Sequence, residues 1–193
     1  MANTEKTENT APKLIVGLGN PGKEYQQTRH NVGFDFLDAL PNLDFQTQTK
    51  FFGDLAKSEN VFYLKPLTFM NNSGKAVAAI ANFYKILPQE IIIIHDELDI
   101  APGKVKIKIG GRSGGHNGLK SIAEHLGSEN FWRIRLGIGH PRNLSLSQSV
   151  VDFVLSKTNP EHQIEIQNCM DRIIKNWELF LQGNFAEVQR ILH

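Results

Sequence analysis

Cysteine is almost absent from this chain of 193 residues, with Cys169 alone. One thiol cannot close an internal disulfide or build a multi-cysteine zinc site, and it suits a reducing compartment. Long apolar runs are missing too. The longest candidate, residues 91–94, is the size of a strand and far short of the ~18–20 residues that cross a bilayer. Residues 1–12 are polar and hold no apolar signal core, so secretion has no support and the segment reads as a disordered leader. Neither sign of charge is in excess, with 21 basic side chains against 20 acidic. A composition 40% hydrophobic and 21% charged excludes wholesale disorder and fibrous repeats. At ~100–200 residues per domain, the expectation is one cytoplasmic domain over residues 13–193.

The balance of charge hides an asymmetry. Residues 100–151 carry eight basic side chains against Glu124 and Glu129, a net +6, and the remainder is net −5. A field concentrated in one region suits a polyanionic partner such as nucleic acid, and it also suits lysines that merely solvate strand faces. Residues 13–16 and 91–94 read as strands buried on both faces. Residues 104–109 and 132–138 alternate, with Lys106 and Lys108 on the polar face of one and Arg133 and Arg135 on that of the other. Residues 51–57 and 61–64 are weaker strand candidates. Helical spacing appears at Phe34, Leu37 and Leu40. It recurs at Val77, Ile80, Ala81 and Tyr84, ended by Pro88, and at Leu119, Ile122 and Leu126 between Asn117 as N-cap and Gly127 as C-cap. The longest helix is expected from Pro160 to about Gln182, its stripe of Ile166, Met170, Ile173, Trp177 and Phe180 facing the core. Strands interleaved with helices predict a single α/β domain: a twisted mixed sheet flanked by helices, with a long C-terminal helix.

Three clusters follow strand ends, where α/β proteins place function. Gly17, Gly19 and Gly22 match the G-x-G-x-x-G spacing of dinucleotide loops, but Pro21-Gly22 favours a turn over an immediate helix, and Asp35 and Asp38 lie in a helical pattern. His30, in the Thr28-Arg29-His30-Asn31 run just beyond, could be a functional imidazole or one that caps a helix. His95-Asp96-Glu97-Leu98-Asp99 could orient a histidine, ligate a hard metal or form a solvated turn before Pro102-Gly103. Nothing like H-E-x-x-H accompanies it. Third, nine of the 16 glycines lie between Gly103 and Gly139. The run from Gly110 to Gly118 enters a helix whose N-terminus favours anions, and it lacks the Lys-Ser/Thr of a P-loop. A mobile surface loop is the plainer reading.

In order along the chain, these segments resemble the bacterial-type peptidyl-tRNA hydrolase family. The resemblance rests on Val16-Gly-Leu-Gly-Asn-Pro-Gly22 with Tyr25, Thr28-Arg-His-Asn-Val-Gly33, and Lys65-Pro-Leu-Thr-Phe-Met-Asn-Asn-Ser-Gly74. It continues through His95-Asp-Glu-Leu-Asp99, Gly115-His-Asn-Gly-Leu119 and Phe131-Trp-Arg-Ile-Arg-Leu-Gly-Ile-Gly-His-Pro141. Asn72 after Asn71, and Arg112-Ser113 within the glycine run, depart from the pattern. The resemblance implies metal-independent hydrolysis of the ester between a peptide and the 3′-terminal ribose of tRNA, recycling prematurely released peptidyl-tRNA, with no cofactor. It implies His30 as general base, oriented by Asp96, and Asn20 telling N-blocked from free aminoacyl groups. Asn71 and Asn117 would bind substrate, and Tyr25, Phe69, Met70 and His116 would line a groove for the peptide and the CCA end. Lys106, Lys108 and Arg135 are candidate acceptor-stem phosphate contacts, and Lys108 and Arg135 match positions that grip the 5′-terminal phosphate. The expected enzyme is monomeric and engages no membrane.

Overall fold

In the computed structural model, residues 10–193 are described. The expected leader thus falls outside the described residues up to position 9. Pro12 is already buried, and Thr10 backbone lies against Gly183, where a Cβ would come within 2.8 Å of it.

Among the described residues, seven strands make one mixed sheet: β1 (Leu14–Gly17), β2 (Gln46–Gln48), β3 (Gly53–Ser58), β4 (Val61–Pro66), β5 (Ile91–Glu97), β6 (Val105–Ile109) and β7 (Trp132–Gly137), in the order β2-β3-β4-β1-β5-β7-β6. The central strands β4, β1, β5 and β7 run parallel, and both edges close antiparallel through β3–β2 and β7–β6. Ile91 to Ile94 are all fully buried because β5 is covered on both faces, with Ile92 and Ile94 in one core and Ile91 and Ile93 in the other. At about 1.5–3 kcal/mol for each buried aliphatic side chain, this strand sets the sheet's axis.

Against the first face pack α1 (Val32–Ala39), α4 (Val150–Val154), α5 (Pro160–Lys175), α6 (Trp177–Leu181) and α7 (Phe185–Leu192), through Phe36, Phe153, Met170, Phe180 and Val188. Against the second pack α2 (Ser73–Tyr84) and α3 (Asn117–Leu126), through Val77, Ile80, Leu119 and Ile122. Among the described residues no helix is long and apolar enough to cross a membrane.

Several element ends differ from the sequence expectation. The single helix expected from Pro160 to about Gln182 is divided at Asn176, which leaves helical geometry at φ −107 and ψ 18, so that α6 and α7 can wrap the core. The division costs the pattern nothing, since both sides keep an apolar face. Helix α2 stops at Lys85, left-handed at φ 54, and Pro88 belongs to a later 3-10 turn. The N-cap of α3 is His116, whose Nδ1 accepts from the Leu119 N–H, and Asn117 is the first helical residue; Gly127 is the C-cap as expected, at φ 64. Strand β2 and helices α4 and α7 have no counterpart in the sequence reading. Helix α7 guards the sheet edge: the Ile107 N–H donates to His193 Nε2 at 2.8 Å, and Gln189 Nε2 donates to the Ile107 carbonyl at 2.9 Å. An edge strand otherwise open to pairing is thereby covered.

Candidate active site

Strands β1 and β5 are parallel neighbours, so their carboxyl ends deliver Asn20 and Asp96 to the same rim. The backbone must come close there to bring the Arg29–Asn31 turn over the sheet. A Cβ on Gly17 would lie 2.2 Å from the Gly33 carbonyl oxygen, and one on Gly33 would lie 2.3 Å from the Leu18 nitrogen. Gly17 is thus spent on packing against α1, and Gly22 on a turn at φ 114. A 3-10 turn, Lys23–Tyr25, follows in place of the long helix that a dinucleotide loop requires.

His30 heads α1 and meets Asp96 through Nδ1, at 2.9 and 3.0 Å from the two carboxylate oxygens. His116 reaches Asp96 Oδ1 from α3, with its Nε2 at 2.9 Å. The His116 Nδ1 accepts from a backbone N–H, so its proton resides on Nε2 and points at Asp96. A buried carboxylate therefore takes a hydrogen bond from each of two imidazoles. Burial opposes the charge on Asp96, but His116 and His30 outweigh it and hold the carboxyl well below its usual range. Burial likewise opposes protonation of His30, and Asp96 overrides it, so His30 titrates above its ordinary 6.5. With Nδ1–H committed to Asp96, His30 presents Nε2 to the groove as a base.

His95 is excluded from that role. It is 1% exposed, its Nδ1 donates to the Asp96 carbonyl at 2.7 Å, and burial together with His116 pushes it down to about 3. Its buried Nε2 has no hydrogen-bond partner among the described residues.

Asn20 is fixed from two sides. Its Oδ1 accepts from the Met70 N–H at 2.7 Å, which turns its Nδ2 away toward the groove. Its main chain is clasped by Asn31, whose Oδ1 accepts from the Asn20 N–H and whose Nδ2 donates to the Asn20 carbonyl, both at 2.9 Å. Asn71 and Asn117 are exposed at the helix entries. Tyr25 and Phe69 meet edge to face at 6.1 Å. These residues, with Met70, His116, Ser113, Leu98, His140, the α4 side chains Val150, Val151 and Val154, and Leu155 just after α4, enclose a groove of about 800 Å³.

The chain matches the peptidyl-tRNA hydrolase family pattern over residues 14–193. It belongs to the peptidyl-tRNA hydrolase family. A peptidyl-tRNA hydrolase of Bordetella avium (strain 197N) is 50% identical over 188 residues, covering 94% of this chain and 91% of that one. One from Neisseria meningitidis serogroup B is also 50% identical, covering 94% and 96%. The crystal structure of the Acinetobacter baumannii peptidyl-tRNA hydrolase superposes with a TM-score of 0.89 at 39% identity, covering 95% of each chain. The glycine motif belongs to this family's fold and not to a dinucleotide enzyme.

Of the residues singled out in the sequence, Asn20, Tyr25, His30, Phe69, Met70, Asn71, Asp96, His116 and Asn117 share the groove. Lys106, Lys108 and Arg135 lie outside it on β6 and β7. Lys106 pairs across from Arg135, and Lys108 from Arg133. The Lys108 Nζ sits against Gly111 of the glycine loop, and burial with the neighbouring Arg135 and Arg133 lowers its pKa. Arg135 is partly neutralised by Glu97, its Nε 2.9 Å from Oε2.

Sequence reasoning missed three supports. Asn31 was visible only as a polar residue at the head of an apolar helix. Arg29 is buried against the Phe153 ring at 4.0 Å and holds the end of α4 through the Phe153 carbonyl and Ser156. Arg133 had read as an exposed strand residue. It is 2% exposed, and its guanidinium donates to the carbonyls of Gly111 and Arg112, stapling the glycine-rich loop. No local pattern distinguishes such an arginine from a solvated one.

Proposed function

We propose that the chain hydrolyses the ester joining a peptide to the 3′-terminal ribose of tRNA, with His30 Nε2 as general base and Asp96 as its orienting group. The observation that carries this reading is the Asp96–His30 pair, open to a groove through Nε2 alone. Ester hydrolysis needs a water deprotonated as it attacks, a positioned carbonyl and donors for the developing charge. The free Nδ2 of Asn20 faces the groove, and Asn71 and Asn117 supply further amides able to pair with a peptide unit. A free aminoacyl group would bring an ammonium that such a site must desolvate, so Asn20 favours blocked substrates through lost pairing and not by steric exclusion. Tyr25, Phe69, Met70 and His116 form the walls for the peptide and the CCA end, where the aromatic faces can stack on a base or ribose. Lys106, Lys108 and Arg135 take the acceptor-stem phosphates. The partner is peptidyl-tRNA, recycled by a monomer in the cytoplasm without a cofactor.

A metal hydrolase is the second reading, and one observation gives it a location. His30, Asp96 and His116 each offer a ligand atom, and these atoms lie within 4.8 Å of one another. A single assay separates the two: incubation with N-acetyl-aminoacyl-tRNA and with unblocked aminoacyl-tRNA, each with and without EDTA. Release of tRNA from the blocked substrate, indifferent to EDTA, is the expected result. Loss of activity on chelation and its return with a divalent ion would replace the histidine-base mechanism with the metal one.

A further inference from the structure

On the side of α2 that packs against the Thr49–Phe51 turn and β4, aromatic rings and lysines are interleaved. Phe51, Phe62, Phe83 and Tyr84 form a connected cluster, Phe62 stacking on Tyr84 at 4.3 Å and Phe83 meeting Tyr84 at 4.8 Å. Burying these rings is not all that the arrangement does, because Phe83 remains 59% exposed, Tyr84 41% and Phe52 38%. Phe52 is held outward by a backbone at φ 54, a left-handed conformation that a bulky residue rarely adopts. Its N–H donates to the Thr49 carbonyl, and its own carbonyl accepts from Leu67, so the turn is fixed. Lys50 lies 4.0 Å over Phe83, Lys75 4.2 Å over Phe52 and Lys57 5.1 Å over Phe62. None of the three has an ion-pair partner among the described residues. Of the acids close in sequence, Asp54 belongs to the opposite face of β3 and bonds Thr47, and Glu59, two residues from Lys57, lies in the turn between β3 and β4 and forms no ion pair among the described residues.

We infer that this surface binds single-stranded RNA other than the substrate tRNA. Exposed rings are sequence-tolerant platforms for bases, and unpaired lysines beside them neutralise phosphates. The sheet order fixes its separation from the expected acceptor-stem contacts. Strand β3 lies five strand spacings, ~24 Å, from β6, with α2 and α3 between. One acceptor stem held at Lys108 and Arg135 does not cover both.

The test is fluorescence anisotropy of a labelled oligouridylate of about a dozen nucleotides on the full chain, with uncharged tRNA in excess to fill the groove. The oligouridylate binds the tRNA-saturated protein, and a Phe83→Ala, Lys50→Ala double variant weakens it by about tenfold or more. The same variant keeps wild-type kcat and KM on N-acetyl-aminoacyl-tRNA, which also shows that it folds. Each lost lysine lowers the slope of log affinity against log salt by about 0.7. Three results overturn the inference: displacement of the oligouridylate by tRNA, unchanged affinity in the double variant, or equal binding of polyglutamate, which would make the partner an acidic protein. None of these bears on whether the groove hydrolyses peptidyl-tRNA.

Discussion

His30 and Asp96 illustrate how a single buried charge sets both a tautomer and a titration. A base must be unprotonated to act, so on the proposed mechanism kcat/KM rises with pH through the His30 pKa, which Asp96 lifts above 6.5. Asp96→Asn removes that lift: the inflection moves to lower pH while the maximal rate falls, and a pH–rate profile of the variant reads both. His30→Ala lowers turnover by at least ~10²-fold with substrate binding retained. Near-wild-type turnover in a folded His30→Ala protein would remove His30 from the mechanism. Asn31 clasps the Asn20 main chain, and if Asn20 reads the substrate, Asn31 is its positioning residue. Asn31→Asp keeps an acceptor for the Asn20 N–H but sets a carboxylate oxygen against the Asn20 carbonyl, at a cost of about 1–3 kcal/mol. The blocked-to-unblocked ratio of kcat/KM falls if Asn31 serves Asn20. Equal loss on both substrates would assign Asn31 to folding alone.

Helix α4 owes its place to a residue 124 positions away, since Arg29 donates to the Phe153 carbonyl. Arg29→Ala removes that bond, two to Ser156 and the stacking on Phe153, at a combined cost of about 2–4 kcal/mol. Because α4 forms one wall of the groove, KM rises alongside the fall in stability, a pairing that denaturation and steady-state kinetics together detect. Helix α1 carries a different tension. Burial, reinforced by Asp38, pushes the Asp35 carboxyl up to about 6 from 3.8. A folded-state pKa above the unfolded one means that ionisation works against the fold, so stability drops as pH rises from about 4 to about 6 and stays lower beyond. Asp35→Asn relieves this. It stabilises by about 1 kcal/mol at pH 8, the two-unit maximum being reduced by partial solvent screening, and the gain vanishes near pH 4. Urea titrations of both proteins at the two pH values check the sign.

At the scale of the whole molecule, the proposed role of the basic edge is to govern encounter with tRNA. A Lys108→Ala, Arg135→Ala variant raises KM for full-length substrate with kcat nearly intact, and shallows the salt dependence by roughly one counterion per lost contact. The Glu97 partner makes Arg135 the weaker of the two. Unchanged KM and slope would place the acceptor stem elsewhere. Much of this protein was determined by the sequence alone: the two-sided burial of β5, the alternation of β6 and β7, Gly127 as a cap, and the strand-end motifs holding Asn20, His30 and Asp96. Those features are local, and periodicity or turn chemistry within a few residues encodes them. What only the tertiary structure decided are relations between distant segments. It made His116 a second partner of Asp96 across 20 positions. It spent Gly17 on contact with Gly33 and closed the groove with α4. It also split the last long apolar pattern into separate helices at Asn176. A periodic stripe says which face is buried but not where the chain turns, and a polar residue's partner depends on which strands are neighbours. That order is set by the packing of the whole sheet.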